Sequence, residues 1–188
     1  PRMHLEQSFD VKLVEVGPRD GLQNEATTLS VEQRLTFIQH LAAAGLRHIE
    51  VGSFVSPKWV PQMANSDRLL QQLNRSPGIS YSALVPNEQG MTAALHSKPD
   101  EIAIFTAASE SFCRKNINCS IEESFERFLP VIQLAQLRNI PIRGYVSCIV
   151  DCPYEGTIAP EQVLWVSKRL LEMGCYQVSL GDTIGTAS

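Results

Sequence analysis

The sequence predicts an α/β protein built on a parallel sheet, and three observations carry that reading. Short β-rich runs alternate with helical patterns along all 188 residues. Capping signals and glycines mark where helices open and stop, and no linker, low-complexity run or composition shift divides the chain. The count of about six strands suits a doubly wound sheet, and the same alternation suits a (β/α)8 barrel. A full barrel takes ~250 residues. As a barrel this chain is therefore expected to be truncated after about six βα units, with residues 1–188 forming a single, incomplete catalytic domain.

The candidate strands are Val11–Val16, Leu46–Val51, Ile79–Val85, Glu101–Thr106, Ile140–Cys148 and Tyr176–Leu180. Between the first two, Ser30-Val31-Glu32-Gln33 reads as a capping box. It opens a helix with Val31, Leu35, Ile38 and Leu41/Ala42 on one face, stopped by Gly45. Shorter helices are expected at Asp67–Leu73 and Asn87–His96. A second box, Ser120-Ile121-Glu122-Glu123, opens a helix carrying Phe125, Phe128, Leu129, Ile132 and Ala135. Pro160 suits the first turn of a helix running through Met173 and ending at Gly174.

Composition excludes several classes. With 44% hydrophobic and 19% charged residues the chain reads as a globular protein with a sizeable core. A net charge of −4 and the lack of any long basic run argue against a nucleic-acid surface. No apolar run approaches the ~20 residues a membrane span needs. Neither a signal-peptide core nor an Arg/Ser-rich transit segment opens the chain, which begins at Pro1. The five cysteines (Cys113, Cys119, Cys148, Cys152, Cys175) include no C-x-x-C pair and favour a reducing compartment over a zinc site or a disulfide frame, with Cys148 and Cys152 the nearest to an exception. No GxGxxG follows the first strand and no P-loop exists, against nucleotide-binding readings.

In parallel α/β proteins chemistry sits on the loops leaving the C-terminal ends of strands. Val14-Glu15-Val16-Gly17-Pro18-Arg19-Asp20-Gly21-Leu22-Gln23-Asn24-Glu25 is such a place, pairing a cation suited to an oxyanion with a carboxylate suited to a hard metal ion. On the first strand Leu13 and Glu15 share a face; on the second, His48 and Glu50; on the sixth, Val178, Leu180 and Asp182. If those faces point inward, Asp20, Glu50 and Asp182 converge at one end of the sheet, where Arg19 and a divalent ion would balance them; solvated loop acids are the plain alternative. The aromatic stretch Phe54–Gln62 reads equally as a substrate wall or a packed lid. Lys115 and Asn116 suit a polar or phosphorylated tail, or plain solvation.

Five segments carry a resemblance: Val14–Glu25, Glu50–Lys58, Lys115–Ser120, Arg143–Cys148 and Ser179–Gly185. They resemble the 3-hydroxy-3-methylglutaryl-CoA lyase family, part of a metal-dependent lyase and Claisen-synthase group built on TIM barrels. The likeness runs from about residue 11 to 185. It implies a (β/α)8 TIM barrel that cleaves 3-hydroxy-3-methylglutaryl-CoA into acetyl-CoA and acetoacetate with Mg²⁺ or Mn²⁺, a step of leucine degradation and ketone-body formation. By similarity Asp20 is a metal ligand and Arg19 stabilises the enolate oxygen, while Glu50 and Asp182 serve proton transfer and substrate orientation. Gln23, Ser53 and Ser179 line the substrate site with Arg19, and Lys115 and Asn116 contact CoA. The family's remaining metal ligands and its mobile cysteine loop are expected beyond Ser188, so the piece alone is expected to be inactive, with exposed sheet edges and a tendency to self-associate. Asp151 stands where relatives usually have glycine, and the ending Gly185-Thr186-Ala187-Ser188 differs from the usual continuation.

The resemblance further implies an acyl-CoA partner, no nucleic acid or membrane, a homo-oligomeric (dimeric) parent, and a bacterial cytoplasmic or mitochondrial-matrix location. Rival readings are a lyase for a longer branched 3-hydroxyglutaryl-CoA, a Claisen-type synthase, and a non-catalytic remnant acting as a binding partner.

Overall fold

The structure, a computed structural model, describes residues 11–187. Its strands are β1 (His48–Ser53), β2 (Ser80–Leu84), β3 (Glu101–Ala107), β4 (Ile142–Ser147), β5 (Asp151–Cys152), β6 (Gly156–Thr157) and β7 (Gln177–Leu180). Its α-helices are α1 (Val31–Ala43), α2 (Ser66–Gln72), α3 (Glu88–Ser97), α4 (Glu110–Ile117), α5 (Ile121–Leu137) and α6 (Pro160–Met173). The main sheet is wholly parallel in the order β1-β2-β3-β4-β7, and β5 and β6 form a small antiparallel hairpin.

That order decides between the two parallel architectures. Each crossover steps to the next strand in the same direction, and right-handed crossovers then place every helix on one face. A doubly wound sheet reverses its order and has helices on both faces. The chain therefore folds as an arc of a (β/α)8 barrel.

Side-chain alternation divides the sheet into an outer, helix-packed face and an inner one. Ile102 and Ile104 of β3 and Ile142 and Val146 of β4 pack outward with Phe125, Phe128 and Ile132 of α5. Ile49, Val51, Tyr81 and Ala83 do the same with Ile38 of α1 and Leu69 and Leu70 of α2. A Cβ at Gly144 would sit 2.9 Å from Leu170 Cδ1, so glycine lets α6 approach β4 closely. The inner face carries Glu101 and Phe105 of β3, Arg143 and Tyr145 of β4, and Glu50 of β1, consistent with the pairing Phe105↔Tyr145.

Both capping boxes form with reciprocal bonds, at Ser30/Gln33 and Ser120/Glu123. Pro130 lies inside α5 without ending it. It removes one backbone donor, but the buried stripe of Phe125, Phe128, Val131, Ile132 and Ala135 holds the helix on β3. Ser109 caps α4, accepting from Phe112 N–H at 3.0 Å; this helix and the β5–β6 hairpin are additions to the elements expected from sequence.

The segment 11–16 departs from expectation. It is reduced to one parallel bridge, Glu15↔Ile49, made by Glu15 N–H to His48 O (2.9 Å) and Glu50 N–H to Glu15 O (2.8 Å). Val11 and Leu13 are exposed, and no second strand pairs with the segment among the described residues. Gly17-Pro18 then turns it away from the sheet. Five regular strands plus this bridge stand where six strands were expected.

At the opposite, N-terminal end of the strands, Glu101 and Arg143 form a buried ion pair at 2.9 Å. Tyr176 O–H donates to the same carboxylate at 2.5 Å.

Candidate active site

The chemistry-bearing turn begins where Pro18 forbids further strand pairing. Residues Gly17–Gly21 close a single π-type turn in which the N–H groups of Arg19 and Asp20 donate to Val16 O at 3.0 and 2.7 Å. The turn folds Arg19 back over the middle of β1, where Glu50 lies on the inner face and not at the strand end that the sequence suggested. Its Nε donates to Glu50 Oε1, and its Nη1 to Asp20 Oδ1 at 2.8 Å. Tyr145 O–H donates to the other Glu50 oxygen at 2.8 Å, and the guanidinium lies 5.6 Å from the Tyr145 ring centre. Glu15, meanwhile, turns its carboxylate onto Gly17 N–H at 2.6 Å.

Glu50 is 1% exposed, so its charge depends on these partners. Burial opposes the charge on Arg19, but the charge and hydrogen bond of Glu50, then Asp20, outweigh it and hold the guanidinium above its ordinary value. Burial, reinforced by the Glu50 charge, pushes the Tyr145 phenol up, so it stays a proton donor to Glu50. The cluster fixes a cation with spare N–H groups at the mouth of the arc, a geometry that can receive an oxyanion. Asp20 remains half exposed and presents hard oxygen outward.

Tyr145 escaped the sequence reading as a site residue. Period-two alternation on β4 places Arg143, Tyr145 and Ser147 on one face, and that signal could have found it.

Gln23 lies just past the turn, and its Oε1 is buried with no hydrogen-bond partner among the described residues. Ser53 is buried at the end of β1; its N–H donates to Ser66 Oγ (3.1 Å) and its own Oγ accepts from Val55 N–H (3.3 Å). Behind it, Arg34 of α1 reaches Ala64 O (2.8 Å), Val51 O (3.4 Å) and Ser66 Oγ (3.3 Å), tying both ends of the 54–63 loop. A Cβ at Gly52 would come within 2.6 Å of Ser66 Oγ, so glycine makes this clasp possible. Within the loop Phe54 packs against the core while Trp59 is exposed, so the stretch is part packed and part open.

The remaining expected residues lie apart from this cluster. Lys115 and Asn116 ride on the exposed face of α4, with Lys115 Nζ 4.0 Å from the Tyr154 ring centre and Asn116 Nδ2 bonded to Phe112 O. On β7 the expected facing is reversed. Ser179 pairs with Tyr145 and so shares its inner face, whereas Leu180 pairs with Val146, whose side chain is outward. The bonds Tyr176 N–H to Ile142 O and Gly181 N–H to Val146 O fix that register. Asp182 lies past the strand end and folds onto its own loop, accepting from Thr186 N–H (3.1 Å) and Ala187 N–H (2.9 Å). Those donors hold its carboxyl below the usual range. No ion pair or hydrogen bond joins it to Arg19, Asp20 or Glu50 among the described residues.

An arc of parallel strands whose inner face gathers Arg19, Asp20, Glu50 and Tyr145 defines a (β/α)8-barrel protein, with the Arg19–Asp20 turn covering the candidate site. The chain belongs to the HMGL-like family, which it matches over residues 10–188. It is 61% identical over 175 residues to the hydroxymethylglutaryl-CoA lyase of Pseudomonas mevalonii, covering 93% of this chain and 58% of that protein. It is 54% identical over 178 residues to the 3-hydroxy-3-isohexenylglutaryl-CoA/hydroxy-methylglutaryl-CoA lyase of Pseudomonas aeruginosa. The crystal structure of hydroxymethylglutaryl-CoA lyase from Pseudomonas aeruginosa superposes with a TM-score of 0.92 at 54% identity, over 95% of this chain and 59% of that one. The chain thus spans less than two thirds of the length of these relatives. Animal relatives carry names that specify a mitochondrial or a cytoplasmic enzyme. No helix among the described residues is long and apolar enough to cross a membrane.

Proposed function

We propose that the protein to which this sequence belongs cleaves 3-hydroxy-3-methylglutaryl-CoA to acetyl-CoA and acetoacetate. The observation that carries the reading is the Asp20–Arg19–Glu50–Tyr145 cluster on the inner face of the sheet, in a chain whose relatives bear that enzyme's name. Breaking the C2–C3 bond requires the tertiary hydroxyl to lose its proton while the bonding electrons pass to a thioester enolate. Arg19, fixed from two sides, keeps its outward N–H groups for that oxygen. Glu50 and Tyr145 hold the guanidinium in place. Gln23, Ser53 and Ser179 line the substrate site, Lys115 and Asn116 contact the CoA portion, and Asp182 orients substrate and assists proton transfer from the β7 loop.

The donor chemistry of Asp20, a half-exposed carboxylate with hard oxygens, fits Mg²⁺ or Mn²⁺. When bound, such an ion acidifies the substrate hydroxyl. No cluster of three or more acidic, histidine or cysteine side chains suited to a metal occurs among the described residues, so Asp20 is the one ligand assigned. The full-length protein is expected to be a homo-oligomer acting on acyl-CoA.

The test is acetoacetate release by the full-length protein with Mg²⁺. Turnover that falls about 10²–10³-fold in Arg19→Met, the loss typical of an oxyanion donor, supports the reading. Absence of wild-type turnover, with binding of acyl-CoA retained, would instead favour a non-catalytic binding protein. A second substrate reading has a specific support, since one relative's name includes 3-hydroxy-3-isohexenylglutaryl-CoA. Comparing turnover on short and long branched 3-hydroxyglutaryl thioesters separates the two, and condensation activity would point to a synthase.

A further inference from the structure

Away from the cluster just described, two buried cysteines touch at the root of the β5–β6 hairpin. Cys152 ends β5 and Cys148 follows β4; they are 3% and 0% exposed. Ser109 Oγ already accepts from Phe112 N–H as the cap of α4, so its only proton is left to point elsewhere. It points at Cys152 Sγ, 3.0 Å away, with the Glu155 carboxylate as its other neighbour. Tyr154 N–H converges on the same sulfur at 3.4 Å. Two donors at the positive end of a helix are an environment for a thiolate rather than for a neutral thiol. Their combined effect, helped by a contact from the Cys148 thiol, outweighs burial and holds Cys152 below its ordinary value. Burial pushes Cys148 up to about 11. Cys148 is itself held in the left-handed region (φ 58°), with its N–H on Thr183 Oγ1 at 2.8 Å.

We propose that Cys152 is a peroxide-reactive thiolate and Cys148 its resolving thiol. The Cys152 sulfur attacks one oxygen of hydrogen peroxide, forming a sulfenic acid and releasing hydroxide, which takes a proton from solvent. The Cys148 sulfur then attacks the sulfenic sulfur. The S–O bond breaks, the leaving hydroxide takes the Cys148 proton as water, and a disulfide remains. Two thiols are oxidised by two electrons and one peroxide is reduced to two waters. Cys152 belongs to a hairpin of two-residue strands with Gly156 and Thr157 exposed, an element light enough to open locally for a water-sized oxidant. Closing the disulfide draws Cys148 away from Thr183, so the oxidised state disturbs the loop that carries Asp182.

The experiment treats the full chain with hydrogen peroxide and maps the products by peptide mass spectrometry. A Cys148–Cys152 cross-link is expected in the wild type, a dimedone-trapped sulfenic acid at Cys152 in Cys148→Ser, and neither in Cys152→Ser. Ser109→Ala keeps both thiols and removes one donor; oxidation at Cys152 is expected to slow about tenfold at neutral pH, the equivalent of one pKa unit. Circular dichroism of each variant checks that the fold persists. Oxidation falling first on Cys113, Cys119 or Cys175 overturns the proposal. So does a wild type that forms no cross-link, or a Ser109→Ala variant that reacts as fast as the wild type.

Discussion

The ion pair at the N-terminal end of the strands offers a quantitative test of how this arc is held together. Glu101 and Arg143 are 7% and 3% exposed at their side chains. The carboxylate accepts from Arg143 Nη2 and from Tyr176 O–H, and Arg143 Nε has no partner among the described residues. Replacing Glu101 by alanine leaves a buried guanidinium beside His48 and the Tyr176 hydroxyl with no countercharge, and leaves the tyrosine hydroxyl without its acceptor. Breaking one side of such a pair costs about 3–5 kcal/mol, against a total stability of about 5–15 kcal/mol for a domain. At ~2–4 °C per kcal/mol for a chain of this size, the melting point should fall by about 6–20 °C. The double variant Glu101→Leu/Arg143→Met removes both charges and should recover most of that loss, because the desolvation cost disappears with the attraction. Urea titrations of the wild type, the two singles and the double, followed by circular dichroism, close the cycle. A single-variant loss under about 1 kcal/mol, or a double as unstable as the sum of the singles, refutes the assignment of the pair as a buried, mutually dependent unit.

Other consequences are equally direct. Tyr145→Phe removes one of the bonds to the Glu50 carboxylate; in the full-length protein turnover should drop about 10–100-fold, the equivalent of a hydrogen bond to a charged group, and unchanged kinetics would exclude Tyr145 from the site. Arg34→Met strips donors from Val51 O, Ala64 O and Ser66 Oγ and should cost about 1–3 kcal/mol, with faster hydrogen exchange in residues 53–66; normal exchange there would show the clasp to be idle. Asp182 and Glu123 are held below their ordinary values, chiefly by the N–H groups of Ala187 and of Ser120. Their contribution is complete above the unfolded carboxylate range and is lost as pH falls through the folded values, so melting points should decline below about pH 4 and decline less in Asp182→Asn/Glu123→Gln. Leu164, Leu171, Leu180 and Ile184 are exposed, and we expect the 188-residue chain to self-associate; a monodisperse monomer in light scattering would contradict this.

Helices were legible in the sequence wherever a cap and a periodic stripe agreed. Ser30 and Ser120 announced α1 and α5, and Pro160 and Gly174 bracketed α6. Helix α4 was missed because its sequence, Glu110–Ile117, is polar on most sides, and Phe112, Cys113 and Ile117 alone tie it inward. Segment 11–16 has strand composition, but a strand also needs neighbours, and composition does not count them. The facing of β7 failed for a geometric reason. Asp182 shares parity with Val178 and Leu180, yet the register to β4 turns that parity toward the helices and leaves Ser179 inside. Arg19 and Glu50, by contrast, were legible as site residues because a Gly-Pro turn bearing a cation and an acid in an apolar run are local facts, although Glu50 proved to lie in mid-strand and not at the strand end. Their partner Tyr145 depends on a contact across 95 residues of chain.

The bridge at Glu15 sets the terms on which that cluster exists. Among the described residues, two backbone bonds, either side of Ile49, are all the strand pairing that joins the sheet to the arm bearing Arg19. When the arm is docked, Glu50 has its countercharge; if it lifts, a 1%-exposed carboxylate is left facing its tyrosine alone. Docking of the arm and neutralisation of the acid are therefore a single equilibrium. Any ligand that draws on Arg19 also pulls on the seam between the first segment and the sheet, so occupancy of the site and closure of the barrel at this edge are thermodynamically linked.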